Sequence, residues 1–358
     1  MSAPYWTIRQ AGPNDLDALM HLVRTVHGER YPQINARYWR WRYHGHAGFP
    51  ASVFIAEHRG EVIGLRPTMI FDYWWGADQF KGAMYTGVMT HPEHRRRGVF
   101  RSLVDAANDH VARAGAAFCL TLPNDMSLPG FRAAPDWHYP GVIPAYVKPI
   151  DTPLLLRRKA GKLLSAVAGR GVAMLFRQSV RQSNIGSIRC TPVETFPDAL
   201  TDVAADFARD AGNLMLARTA PYMNWRFTQH PHLAYHLQVA HDKATCVGAI
   251  VTATAEQSGL PVGMIVDLVA RGGTNTLSAL LHAGEKVLRD DGVALITCQA
   301  STPLLQRALR QCGFRRLPNR LVPKRFNFVY RLTEAAALPA EPRRLSDWHL
   351  TFGDSDNA

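Results

Sequence analysis

At 358 residues the chain has room for about two domains, each long enough to bury a core of its own. With 47% apolar and 20% charged residues it is neither a disordered chain, a collagen-like repeat nor a small disulfide scaffold. Lys and Arg total 41 against 29 Asp and Glu, a net charge of +12 that favours an anionic partner: a phosphorylated cofactor, nucleic acid or an acidic membrane face.

In chain order, Tyr5 to Gln10 reads as a strand, and Asn14-Asp15 cap an amphipathic helix with Leu16, Leu19, Met20 and Val23 on one face. Strands follow at Ser52–His58, Val62–Phe71 and Phe80–Thr90, the first two joined by a tight turn at Arg59-Gly60-Glu61. The three- and four-residue recurrence of Val99, Leu103, Ala106, Ala107, His110 and Val111 predicts a helix from Gly98 to Ala114. Gly115 ends it, Ala116–Leu122 is a short apolar strand of the kind found inside a mixed sheet, and Asn124 to Phe131 leads into another helix.

The second half repeats this plan. Placing Tyr38 on Tyr222, an offset of 184, aligns Trp41/Trp225, Arg42/Arg226, His46/His230, Ala56/Ala240 and Gly64/Gly248 without a gap. Further on, a helix Thr276–Asp290 ends at Gly292 as the earlier one ends at Gly115, and Val293–Cys298 mirrors Ala116–Leu122. The expectation is an internal duplication. Both copies carry an aromatic-basic cluster, Tyr38 to Tyr43 and Tyr222 to Phe227. It fits a stacking platform for sugar or base rings, or a packing hinge with arginines reaching solvent, and its presence in both copies favours the hinge.

Between the halves, Thr152 to Val193 holds eight basic residues and no acid. It reads either as a linker helix packed across both domains or as an amphipathic helix in peripheral contact with a membrane surface. The expected division is 1–150, a basic linker 151–189, a second domain 190–334 and a flexible tail 335–358. Five widely spaced cysteines without a C-x-x-C pair indicate neither a zinc site nor a disulfide framework, so no metal is expected. With no leader-like apolar run and no stretch of ~18 apolar residues, the expected place is the cytoplasm, with no transmembrane segment.

The chemistry concentrates where a strand ends near Thr90, a basic loop follows and Gly98 opens a helix. The first helix amides lack intrahelical partners and carry the positive end of the dipole. Gly98 admits a close backbone approach, and Arg95, Arg96, Arg97 and Arg101 add cations. Together they make a pyrophosphate cradle. Neither a Walker loop (G-x-x-x-x-G-K-S/T) nor a dinucleotide fingerprint (G-x-G-x-x-G) is present.

The stretch Arg95-Arg96-Arg97-Gly98-Val99-Phe100 resembles motif A of the GNAT N-acetyltransferase superfamily, Q/R-x-x-G-x-G/A, over Ile8 to about Trp137; Phe100 departs from the usual small residue. The resemblance implies an α/β fold of two tandem acyl-CoA N-acyltransferase-like domains, each a central mixed sheet flanked by helices. It implies acetyl-CoA or another acyl-CoA as co-substrate. Val88, Met89, Thr90 and Asn124 would hold the pantetheine arm, and Arg95 to Arg101, with Gly98, Val99 and Phe100, the pyrophosphate. The acid Tyr of many relatives is Phe131 here, and the usual acidic base position is near Met84. Tyr85, Thr86 and Asp125 are the nearest replacements, although Tyr85 also suits a core and Asp125 a helix cap.

The second half keeps Arg271-Gly272-Gly273-Thr274-Asn275 where the cradle would be, with one cation, so it reads as degenerate; Asp267 fits loop anchoring better than substrate binding. Two functions compete: an N-acyltransferase acting on a primary amine of a small molecule or sugar, and a non-catalytic CoA-binding or scaffold protein. The intact cradle favours the first, the missing acid and base the second. No nucleic-acid partner is expected, because much of the excess charge lies in cradle and linker.

Overall fold

Alternating apolar residues and left-handed turns build the same unit twice. The computed structural model describes residues 5–28, 35–44, 48–49, 51–151, 154–155, 186–334 and 338–355. The first half contains β1 (Thr7–Gln10), α1 (Leu16–His27), α2 (Ala36–Trp39), β2 (Ala51–His58), β3 (Glu61–Trp75), β4 (Asp78–Tyr85), β5 (Met89–Thr90), α3 (Val99–Arg113), β6 (Phe118–Thr121), α4 (Leu128–Arg132), β7 (His138–Val142) and β8 (Ala145–Pro149). The second contains β9 (Ile188–Pro192), α5 (Leu200–Ala211), β10 (Leu214–Leu216), α6 (Ala220–Met223), β11 (His236–Asp242), β12 (Thr245–Gln257), β13 (Leu260–Ala270), α7 (Gly273–Asp290), β14 (Leu295–Gln299), α8 (Pro303–Gln311), β15 (Arg315–Arg316) and β16 (Asn327–Leu332). Most of the basic segment 152–189, with the membrane contact expected of it, lies outside the described residues, as does His46.

The duplication holds at atomic detail. The hairpins β2–β3 and β11–β12 both turn on a basic residue with positive φ, Arg59 at 51° and Lys243 at 54°. Ala56 faces Gly64 and Ala240 faces Gly248, each followed by a bulge. A Cβ on Gly64 would lie 2.8 Å from Val99 Cγ1, and one on Gly248 2.9 Å from Leu280 Cδ1. Both glycines are therefore where a helix rests directly on the sheet. The aromatic-basic clusters pass from a short helix into a π-turn and meet each other. Trp41 stacks on Trp225 at 5.1 Å. Trp41 Nε1 donates to the Trp225 carbonyl at 3.2 Å, and Trp225 Nε1 to the Trp41 carbonyl at 3.4 Å. The clusters pack the two halves together, but their arginines do not reach solvent as expected: Arg42 and Arg226 are buried, and Arg226 Nη2 donates to the Ser355 carbonyl at 2.9 Å.

The sheets do not respect the expected boundaries at 150 and 334. The first runs β1-β2-β3-β4-β6-β16-β7, with β5 and β10 also on β3; the second runs β15-β8-β14-β13-β12-β11-β9. Strand β8 has crossed into the second sheet and β16 into the first, so each half completes the other. The crossing is anchored where Lys148 Nζ of β8 donates to Glu285 Oε2 of α7 and to the Cys312 carbonyl, both at 2.7 Å. The tail expected to be flexible is packed instead: within 338–355, Trp348, His349, Leu350, Thr351 and Asp354 are buried, and Trp348 packs on Phe118, Phe328 and Tyr330 of the first sheet. Its Ala/Pro-rich start hid an apolar and hydrogen-bonding segment.

Candidate active site

The stretch read as one strand, Phe80–Thr90, is broken. β4 runs parallel to β6 from Gly82↔Phe118 to Met84↔Leu120. Beyond Tyr85 the Thr86 amide turns to the Pro67 carbonyl at 3.4 Å, Gly87 adopts φ +47°, and pairing with β3 resumes only at Met89. A bulge of this kind re-aims a strand. It leaves Gly87 and Val88 outside the ladder and opens a fork between the fourth strand and β6. Thr121 Oγ1 donates to the Tyr85 carbonyl at 2.8 Å in the crotch of that fork.

At its mouth, Arg96 takes φ +61° and Gly98 φ +92°. A left-handed arginine costs on the order of 1–3 kcal/mol and persists where surrounding structure demands it. Backbone turns of opposite hand aim successive amides at one point, making an anion nest. The first bond of α3 runs from the Ser102 amide to the Gly98 carbonyl at 3.1 Å. The amides of Val99, Phe100 and Arg101 are thus left without intrahelical acceptors, and Gly98 supplies no side-chain cap.

Arg95, Arg96, Arg97 and Arg101 are exposed around this point. Arg95 Nε reaches back to the Thr90 carbonyl at 3.4 Å, Arg97 lies 4.9 Å over the Tyr5 ring, and Arg101 forms an exposed pair with Asp105 at 3.7 Å. Trp6 packs against Gly98, and Tyr5 stacks on His58 at 4.0 Å. Desolvation, then His91, Arg97 and His58, lowers the His94 pKa, so the arginines carry the charge.

The other predicted contacts fall around the fork in different ways. Val88 and Thr90 are half-exposed, whereas the Met89 and Val99 side chains are buried and only their backbones face it. Phe100 meets Phe131 edge to face at 5.6 Å, and Gly130 makes the room: a Cβ there would come within 3.3 Å of Phe100. The departure from the family motif is therefore compensated on α4. Asn124 Oδ1 accepts from the Met126 and Ser127 amides at 3.0 Å each, so its oxygen is committed to the turn before α4.

Neither predicted catalytic residue is placed for proton transfer. Tyr85 is 1% exposed and its hydroxyl donates to Asn108 Oδ1 at 2.8 Å. Burial holds its pKa well above the ordinary value. An alternating strand puts Tyr85 on the α3 face, and Asn108, three turns along the helix, reads from sequence as a surface residue. Tyr85→Phe should cost about 1–3 kcal/mol in urea unfolding through the orphaned Asn108, with acyl transfer unchanged; a fall in turnover without a fall in stability would restore its catalytic role. Asp125 does not cap α4. It pairs with Arg325 at 3.0 Å and accepts from Asn327 Nδ2 at 3.4 Å, and the Arg325 hydrogen bond holds its carboxyl below the usual range.

Two residues the sequence reading passed over sit at the fork. The Tyr43 hydroxyl is 2.8 Å from Thr86 Oγ1 and beside Gly87, and Arg66 lies buried under the broken strand. A lone arginine in the apolar run Val62–Phe71 was the signal for the second; only the tertiary fold brings Tyr43 there.

In the second half the equivalent cleft is full. Gly248 faces Ala270 as Gly64 faces Thr90, which places Asp267 near the counterpart of the break. Arg218 Nε bonds both Asp267 oxygens at 3.0 and 2.9 Å, and its Nη2 bonds Asp354 at 2.7 Å. Thr351 Oγ1 donates to Asp267 at 3.0 Å, and the Leu350 amide to Ser301 Oγ at 2.7 Å. The tail thus lies between β13 and the end of β14, Asp267 anchors it, and Arg271 is paired with Asp206. Among the described residues no group of three or more His, Cys, Asp or Glu could hold a metal, and no helix is long and apolar enough to cross a membrane.

Residues 7–132 match the family model for an acetyltransferase (GNAT) domain. No curated protein matches the chain in sequence. A GCN5-related N-acetyltransferase from Anabaena variabilis superposes with TM-score 0.61 at 13% identity, covering 91% of this chain and 72% of its own. One from Kribbella flavida gives 0.58 at 12%, covering 95% and 74%. Saccharomyces cerevisiae N-myristoyltransferase, solved with bound myristoyl-CoA, gives 0.57 at 8%, covering 92% and 83%. At these identities the structures show a shared fold, while the family match coincides with the half that carries the forked strands and the arginine nest. Residues 7–132 thus carry a GNAT acetyltransferase domain, and the chain shares its fold with GNAT N-acetyltransferases.

Proposed function

We propose that this chain is an acyl-CoA-dependent N-acyltransferase, moving an acetyl group from CoA to a primary amine of a small molecule or sugar in its first domain. The observation that carries the reading is the cradle: an uncapped helix start with a left-handed Arg96 and Gly98, ringed by four arginines, at the mouth of an opened strand pair. Its unused amides and exposed guanidinium groups fit a pyrophosphate. Bound myristoyl-CoA in the yeast relative supports an acyl-CoA as donor. Arg66, Tyr85 and Phe131 pack under the fork with almost no exposed surface, which supports a short acyl group.

In the reaction the amine nitrogen attacks the thioester carbonyl carbon, the C–N bond forms, the C–S bond breaks and the ammonium loses a proton. The protein would contribute alignment of the two reactants and backbone amides beside the break, at Gly87 and Val88, for the developing oxyanion. The second domain, its cleft filled by the tail, would bind no CoA of its own.

Calorimetry should find one CoA per chain. Thiol release should follow when acetyl-CoA is offered with a panel of amines and amino sugars. Absence of CoA binding would overturn the reading. Binding without thiol release from any donor would leave a CoA-binding scaffold, the alternative that the placements of Tyr85 and Asp125 favour.

A further inference from the structure

Arg66 is 1% exposed, and its Nε and Nη2 have no hydrogen-bond partner. No carboxylate pairs with it among the described residues. Its guanidinium lies 4.2 Å over the Tyr85 ring and 5.8 Å from that of Phe131. The other groups that face it are the Cys119 thiol and the Tyr43 hydroxyl. Burial holds Tyr85 well above its ordinary value and pushes Cys119 up to about 11, so both are neutral; Arg331 faces them from β16. Burial also pulls Arg66 itself down to about 10, which leaves it charged at neutral pH.

An unpaired buried cation costs several kcal/mol unless an anion completes it. Arg66 stands opposite the break in the fourth strand, between Leu65, which faces Met89, and Pro67, which holds the Thr86 amide. Under the acyltransfer reading, on which this inference rests, an anion is created at that fork in each turnover. No proton donor stands ready for it: Phe131 has none, and the Tyr85 hydroxyl is committed to Asn108.

We propose that Arg66 holds the CoA sulfur as a thiolate when the thioester breaks. The tetrahedral adduct re-forms its carbonyl, the C–S bonding pair goes to sulfur, and the thiolate pairs with the guanidinium, which keeps all its protons. The proton lost by the amine goes to water, and water reprotonates the thiolate after release. The same cation would suit a carboxylate on the acyl group, so the test separates the two.

The probes are CoA, desulfo-CoA and succinyl-CoA, bound to the full chain. Ultraviolet absorbance of the thiolate should show CoA bound to the wild type ionising at least about one pH unit below free CoA, tenfold in ionisation constant. Arg66→Met should abolish that shift while the cradle still binds CoA, and Arg66→Lys should keep part of it. At pH 8 the wild type should prefer CoA over desulfo-CoA by about threefold or more, a comparison that decides even if Arg66→Met fails to fold. Equal affinity for CoA and desulfo-CoA, or an unshifted thiol, would overturn the proposal. So would a preference for succinyl-CoA over acetyl-CoA that Arg66→Met removes. Failure of the wild type to bind CoA at all would instead remove the acyl-CoA reading beneath it.

Discussion

Replacing Arg96 and Arg97 together by alanine should weaken CoA binding by about a hundredfold or more, measured by calorimetry at constant ionic strength, with thermal unfolding nearly unchanged. Each charge-assisted bond to phosphate contributes about 1.5–3 kcal/mol, and both side chains are exposed, so little folding energy is lost with them. What remains is the helix start itself, whose amides and dipole give a smaller attraction. The effect should shrink in high salt, because exposed charges are screened. Arg96 also holds a left-handed backbone that alanine tolerates as poorly, so Arg96→Gly is the control that separates charge from geometry. Undiminished affinity in the double mutant would place the pyrophosphate elsewhere.

Arg218→Ala should be the most damaging single change to stability, about 3–5 kcal/mol, because it strands Asp267 and Asp354 in a site with essentially no exposure. Burial already raises the Asp267 carboxyl above its ordinary value against the pull of Arg218. Without the cation it should rise further, so the folded state would bind a proton that the unfolded state has released. Stability of the mutant should then fall as pH rises from the ordinary Asp value to the raised one, and the difference from wild type should be smaller at pH 4 than at pH 7. Urea unfolding at the two pH values checks both magnitude and sign. Adding Asp267→Asn should recover part of the loss, since it removes a stranded charge but keeps the hydrogen-bonding shape. A loss below about 1 kcal/mol, or one independent of pH, would mean that the tail is not held by this network.

By itself the sequence determined what depends on neighbours along the chain. Helix α3 and its glycine-opened start follow from three- and four-residue spacing, and the cradle from four arginines within seven positions of one another. The duplication was legible because Trp41, Ala56 and Gly64 keep their spacing in Trp225, Ala240 and Gly248, and close packing leaves little freedom at such positions. Tertiary structure decided the rest. A strand's alternation says that one face is buried but not in which sheet, so the exchange of β8 and β16 left no local trace. The break at Thr86 to Val88 depends on pairing with β3, and Tyr85 was drawn inward by Asn108 across the sheet–helix interface. The tail looked loose because the partners that bury it, Arg218, Asp267 and Ser301, are between 47 and 136 residues away in sequence. Arg66 showed itself as a charge in an apolar strand, but its lack of a counter-ion is a property of everything packed around it, and only the folded chain reveals that.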